Sequence, residues 1–154
     1  MKEHTYRAEL KWTGNKGKGT IAYREYERTH VVKIDMKPVL ELSSEPTFRG
    51  DPSKYNPEEL LVSAISSCHM LWYLHLCAES GVIAVEYEDH ATGIMEENDD
   101  GSGQFREVIL RPRVKVTDPS MITTANSLHD KAHALCFIAR SCNFPIRHEP
   151  DCYL

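Results

Sequence analysis

Cysteines 68, 77, 136, 142 and 152 are the side chains best suited to covalent chemistry in this 154-residue chain. None forms a Cys-x-x-Cys pair, so the count fits either inert free thiols or a redox pair. Cys68 lies about a dozen residues into an apolar run, beyond useful reach of a helix N-terminal dipole, so an activated thiolate there needs a nearby cation. Without one it is a small buried hydrophobe. Cys136, within "AHALCFIA", faces the same choice. Cys77 follows Cys68 by nine residues, about half a turn around a helix, and so cannot be its partner there. Cys142, His148 and Cys152 in "CNFPIRHEPDC" match no usual zinc spacing, and no metal is expected. His75 shares nearly one face with Cys68 but stands about 10.5 Å further along the axis. A direct nucleophile and base pair is therefore out of reach. A satisfied core histidine is the better reading of His75, and equally of His69 and His133.

These thiols need elements to position them, and the clearest is the helix over "NPEELLVSAISSCHMLWYLHLCAESG". Asn56 caps it, Pro57 suits the first position, Glu59 completes a capping box and Gly81 stops it. Its body is apolar almost all round, which predicts a central buried helix. Charged and histidine residues interrupt the run, so a membrane span is not expected. "HTYRAELKWTG", "GKGTIAYREY" and "THVVKIDM" read as three strands, and residues 37–55 as a long loop. "VIAVEYEDHATGIMEE" and "GQFREVILRPRVKVT" predict a long hairpin about "NDDGSG". In it Val108, Leu110, Val114 and Val116 face one way, and Arg111, Arg113 and Lys115 form a solvated row on the other side. A second helix starts at Asp118 and Pro119 and runs through Cys136, with Leu128, Ala132 and Leu135 on its apolar stripe. "NFPIRHEP" is the last strand. Strands in runs imply α+β with antiparallel sheets around two central helices, in one domain over residues 1–154. A helix too apolar for one sheet to cover asks for a second subunit.

The net charge of −5 disfavours nucleic acid or an anionic membrane as partner. The N-terminus lacks an apolar signal core, which points to the cytoplasm.

"NPEELLVSAISSC", followed 68 residues after Cys68 by "AHALCFIARSCNFP", resembles the OsmC/Ohr family of osmotically induced and organic hydroperoxide resistance proteins, and its OsmC-like branch in particular. The resemblance covers nearly the whole chain. It implies an interlaced α+β homodimer and thiol peroxidase activity toward organic hydroperoxides. No bound cofactor is implied, only an external dithiol reductant such as a dihydrolipoyl group. Under it Cys68 is the peroxidatic thiol, Cys136 resolves it, and Glu58 holds an activating cation. That cation is Arg49 in the loop before the helix, or Lys16 in the glycine turn after the first strand. Arginine is preferred, because a guanidinium offers several directed donors to a carboxylate and a thiolate together.

Helix geometry adds a constraint of its own. Ten residues put Glu58 about 15 Å along the axis from Cys68 and about 80° round it. Two antiparallel copies of the helix crossing near Ser63 would place each Glu58 beside the other chain's Cys68. Glu59 is then only a cap. Two other classes remain: a non-catalytic dimer that binds a small hydrophobic ligand or senses redox state, and an acyl transferase using Cys68 with a histidine.

Overall fold

Helix α1 (Pro57–Ser80) begins where its local signals put it. The Asn56 side chain accepts from the Glu59 N–H at 2.8 Å, and the Glu59 carboxylate accepts from the Asn56 N–H at 3.2 Å. At the other end Gly81 takes φ 72°, and the Val82 N–H reaches back to the Cys77 carbonyl at 2.9 Å. That left-handed turn is cheap only for glycine.

The computed structural model describes residues 2–154, and the chain divides into two units, one up to Leu60 and one from Leu61 to Leu154. In the first unit β1 (Glu9–Trp12), β2 (His30–Lys33) and β3 (Leu40–Leu42) form an antiparallel sheet in that order. The strand expected in "GKGTIAYREY" is absent. The Asn15 side chain instead accepts from the N–H groups of Gly17 and Gly19, both at 2.9 Å, and winds the chain into turns there. Such side-chain bonds compete directly with a strand ladder. The third strand lies in the segment read as a loop, which also carries a 3-10 turn at Pro46–Phe48.

In the second unit the long hairpin forms, but creased. β4 (Ala84–Asp89) pairs with β7 (Pro112–Val116), and β5 (Thr92–Glu97) with β6 (Gly103–Leu110). β8 (Ile146–His148) and β9 (Asp151–Tyr153) add in parallel to β6 and β7, giving sheets β5-β6-β8 and β4-β7-β9. The sheets are thus antiparallel-rich, as expected, with the two short C-terminal strands added in parallel. Arg111 fastens the crease: its N–H meets Asp89 at 2.6 Å, its Nε meets Glu149 at 3.1 Å and its Nη1 meets Thr92 at 3.0 Å. Ser66 of α1 reaches Asp89 as well, at 2.5 Å. Arg113 and Lys115 keep the solvated row, paired with Glu88 and Glu86.

Two apolar clusters fill this unit, one around Tyr73, Leu76, Val114 and Ala132, the other around Ile65, Val108 and Leu110. The expected inward set Val108, Leu110, Val114 and Val116 is buried throughout. On α1, however, only Ile65, His69, Tyr73, Leu76 and Cys77 are buried, one stripe and not the whole circumference. Leu71 is 61% exposed and Leu74 37%.

The second helix is also divided. Asp118 caps the turn Pro119–Met121, α2 runs Ile122–Leu135, and α3 (Phe137–Arg140) follows after a break at Cys136, whose ψ is 110°. Neither glycine nor proline marks that break.

Candidate active site

The break in the second helix turns Cys136 inward. Its sulfur is fully buried and accepts from the Ala139 N–H at 3.4 Å. The half-buried Cys68 on α1 stands close enough for its thiol to act on Cys136 by hydrogen bond and by charge. Two thiols 68 residues apart in sequence thus meet, both reduced. Burial first, then the Cys68 sulfur, push the Cys136 thiol up to about 11. Cys136 therefore keeps its proton at neutral pH and can donate it toward Cys68. Beside the pair, Trp72 meets Phe137 edge to face at 5.6 Å between ring centroids. Leu71, Trp72 and His75 line a shallow cavity of about 260 Å³.

The other thiols are elsewhere. Cys77 and Cys152 lie in the core against Tyr73, whose hydroxyl is 3.7 Å from the Cys152 sulfur. Burial raises both thiols above their ordinary range. Cys142 donates to the Ile138 carbonyl at 3.3 Å. Among the described residues no group of three or more His, Cys, Asp or Glu side chains is arranged to hold a metal ion.

In the first unit, Glu58 lines a cavity of about 300 Å³ whose walls include Trp12, Tyr26, His30 and Phe48. The cation on that wall is Arg28, which sequence reasoning passed over. Arg49 instead follows the 3-10 turn with φ 65°, exposed, and its charge acts on Glu27. Lys16 is bound to Glu27 at 2.7 Å. Arg28 is half-buried, with its guanidinium carbon 4.1 Å from the ring centroids of Tyr23 and Tyr26 alike. Its Nη1 donates to the Tyr26 carbonyl at 2.6 Å, while Nη2 is buried without a hydrogen-bond partner. An unsatisfied buried donor on a charged group is costly, and such costs gather where a ligand supplies the missing acceptor. The available signal was local: tyrosines five and two residues before an arginine, in a segment too turn-rich for a strand.

A histidine cluster is the second feature that the sequence hid. His69 Nε2 and His129 Nδ1 share a hydrogen bond at 3.0 Å, and His148 Nε2 meets Asp130 at 2.9 Å. His133 packs on His148 at 5.5 Å between centroids. One ring nitrogen of each histidine is buried without a partner. Burial, then repulsion from His148 and His133, push His69 down to about 4. Burial, then His69, push His129 down to about 3, and burial lowers His133. His69 and His129 are therefore neutral at pH 7. The reading of His69 as a satisfied core residue is corrected to a half-satisfied one, and His133 is only partly buried, with its Nδ1 unpartnered. His75 is no core residue in this chain; it is exposed and faces Glu79 at 3.6 Å.

Comparison with known proteins connects this arrangement to a family. The family model for OsmC-like proteins matches residues 50–150. An OsmC-like protein of unknown function from Vibrio cholerae is 29% identical over 96% of this chain and 99% of its own, with a TM-score of 0.84. An organic hydroperoxide resistance protein from Elizabethkingia anophelis is 20% identical over 98% of this chain and 96% of its own, at 0.71. Another, from Bacillus subtilis, is 15% identical over 97% of this chain and 98% of its own, at 0.65. At such identities the last two speak for the fold alone. The search of the curated proteins found no match.

Proposed function

From the premise that this chain belongs to the OsmC-like protein family, we propose that it is a thiol-dependent peroxidase that reduces organic hydroperoxides, with Cys68 as nucleophile and Cys136 as resolving thiol. The single observation that carries the reading is the meeting of these two thiols with Cys136 held protonated. The Cys68 thiolate attacks the terminal oxygen of ROOH; the O–O bond breaks, and the leaving alkoxide takes a proton to become ROH. Cys68 is left as a sulfenic acid, two electrons more oxidised. The Cys136 sulfur then attacks that sulfur, its proton leaves with the hydroxyl as water, and a disulfide forms. An external dithiol, of the dihydrolipoyl type, returns both thiols by exchange.

The activating cation in this proposal is Arg28, supported by its place with Glu58 on one cavity wall and by its unpaired donor. Neither Arg49 nor Lys16 lines that cavity; Arg49 is exposed and Lys16 is paired with Glu27. Glu58 and Arg28 act on the partner subunit's thiol in a homodimer, which follows from the helix spacing of Glu58 and Cys68. The uncovered apolar side of α1 is consistent with that partner. The apolar surface of Leu71, Trp72 and Phe137 takes the alkyl group.

The deciding experiment follows catalytic consumption of cumene hydroperoxide and of hydrogen peroxide with a dithiol donor, comparing wild type with Cys68→Ser. Turnover that depends on Cys68 supports the proposal. A single stoichiometric oxidation without turnover would make the protein a redox sensor or binding module.

A further inference from the structure

We propose that Tyr23 and Tyr26 are positioning residues that hold the activating arginine by their ring faces, so that Arg28 is fixed in place without losing charge to a carboxylate. The inference rests on the reading of Arg28 as the activating cation and explains how that cation stays available.

Arginine beside a carboxylate is normally held by it, two donors to two oxygens. Here it lies over two neutral rings, each centroid 4.1 Å from its central carbon. A ring face attracts a guanidinium through its quadrupole and leaves the in-plane N–H donors unused. Nη1 is spent on the Tyr26 carbonyl, and Nη2 keeps an open donor. One carboxylate within reach of its charge, that of the neighbouring Glu27, is occupied by Lys16 at 2.7 Å. Lys16 thus protects the arrangement.

Each ring is itself anchored. The Tyr23 hydroxyl donates to the Phe48 carbonyl at 3.4 Å. Tyr26 meets Trp12 edge to face at 5.8 Å, and the Trp12 indole N–H donates to the Glu27 carbonyl at 2.9 Å. These contacts tie the irregular segment between β1 and β2 into a mount for one side chain. They also give its alternating aromatics a use that the missing strand does not. Arginine otherwise loses much rotamer freedom on being fixed, and a preset orientation removes that cost from the moment of reaction.

The test separates ring electrostatics from ring shape in the full-length protein. Positions 23 and 26 are changed together to Phe, to a ring-fluorinated phenylalanine of the same shape but weakened face potential, and to Leu; Arg28→Gln is the reference. The readouts are the pH profile of Cys68 alkylation, resolved by peptide mass, and kcat/KM for cumene hydroperoxide. The Phe pair loses only the long Tyr23 hydroxyl bond, is expected to stay within about twofold of wild type, and is the baseline for the fluorinated pair. The fluorinated and Leu pairs should slow Cys68 alkylation at neutral pH about tenfold, move its midpoint upward as Arg28→Gln does, and lower kcat/KM in proportion. The fluorinated pair carries the test even where Leu unfolds the segment, since it keeps every packing contact. If Arg28→Gln shifts the profile and the fluorinated pair does not, the positioning role is wrong while the arginine stands. If Arg28→Gln leaves the profile in place, the choice of cation fails and the tyrosine role fails with it.

Discussion

Acid should destabilise this protein through two buried histidines well before its carboxylates titrate. His69 and His129 are each about 1% exposed or less, joined by one hydrogen bond, and depressed from 6.5 to about 4 and about 3. A histidine with a lowered folded-state pKa contributes stability that is complete above its unfolded value, near 6.5. The contribution is lost as pH falls toward the folded value, because the unfolded chain takes up protons that the folded chain refuses. At pH 5.0 the unfolded histidines are protonated and the folded pair is still neutral. That pH lies about 1.5 below 6.5, and about 1.36 kcal/mol per pH unit gives about 2 kcal/mol for each histidine. The pair together loses on the order of 4 kcal/mol between pH 7.5 and 5.0, a large part of the roughly 5–15 kcal/mol that holds an ordinary domain.

Urea unfolding at the two pH values reads this directly. With a slope near 2 kcal/mol/M, the midpoint should fall by about 2 M. The matched control is His69→Gln with His129→Asn, which keeps a side-chain donor and acceptor near Nε2 of one ring and Nδ1 of the other but cannot take up a proton. Its midpoint should fall much less over this range, the remainder coming from His133, which burial also lowers and which the variant keeps. Other titrating groups face the cluster, Asp130 and His148 in their 2.9 Å contact and His133 beside them, and the double variant keeps all three. A variant that loses as much stability in acid as wild type would refute the assignment of the effect to His69 and His129.

Three further outcomes are expected. One equivalent of hydroperoxide should give an intrachain Cys68 to Cys136 disulfide by peptide mass analysis, and Cys136→Ser should leave a trappable sulfenic acid at Cys68; a link through Cys77 or Cys142 would end the resolving role of Cys136. In the crease, Arg111→Ala should cost about 0.2–1 kcal/mol in urea unfolding, because Glu149 and Thr92 lose an exposed side-chain partner while the Asp89 bond to the backbone N–H of residue 111 remains; an unchanged midpoint would reduce the Arg111 side chain to a surface charge. Subunits carrying Cys68→Ser and Glu58→Gln, each inactive alone, should regain about half of wild-type activity per isolated mixed dimer. A dead mixed dimer rules out sites shared between chains.

Legibility in the sequence followed the range of each interaction. Asn56, Pro57, Glu59 and Gly81 act within a few residues of one another, so α1 could be read at both ends. The alternating faces of β6 and β7 were legible for the same reason, but the crease at Arg111 was not. It depends on Asp89 and Glu149, 22 and 38 residues away. The parallel additions of β8 and β9 are likewise set by distant partners. "GKGTIAYREY" misled because aromatic alternation suits a strand, and only Asn15 upstream turns it away. The break at Cys136 has no breaker residue to announce it. Of the candidate site, the thiol pair could be anticipated from the family pattern. Arg28 was passed over although Tyr23 and Tyr26 stand close to it in sequence, because its partners are ring faces and not a charged residue.

The surface of α1 divides into separate faces. Ile65, His69, Tyr73, Leu76 and Cys77 form the stripe that packs inside the chain. Cys68, one residue before His69 and therefore about 100° away from it, lies off that stripe, where Cys136 meets it. Leu71, at 61% exposure, lies on a side that this chain leaves uncovered. A nucleophile fully inside the stripe would be sealed from any hydroperoxide, and one on the open side would sit in water without apolar help. Cys68, the proposed nucleophile, stands at the boundary between the two, half-buried, with Cys136 near it and the cavity of Leu71 and Trp72 about one turn further along the helix. The continuous apolar character of α1 is therefore not redundancy. One face builds the core, the opposite one stays exposed in this chain, and the proposed chemistry sits at the seam.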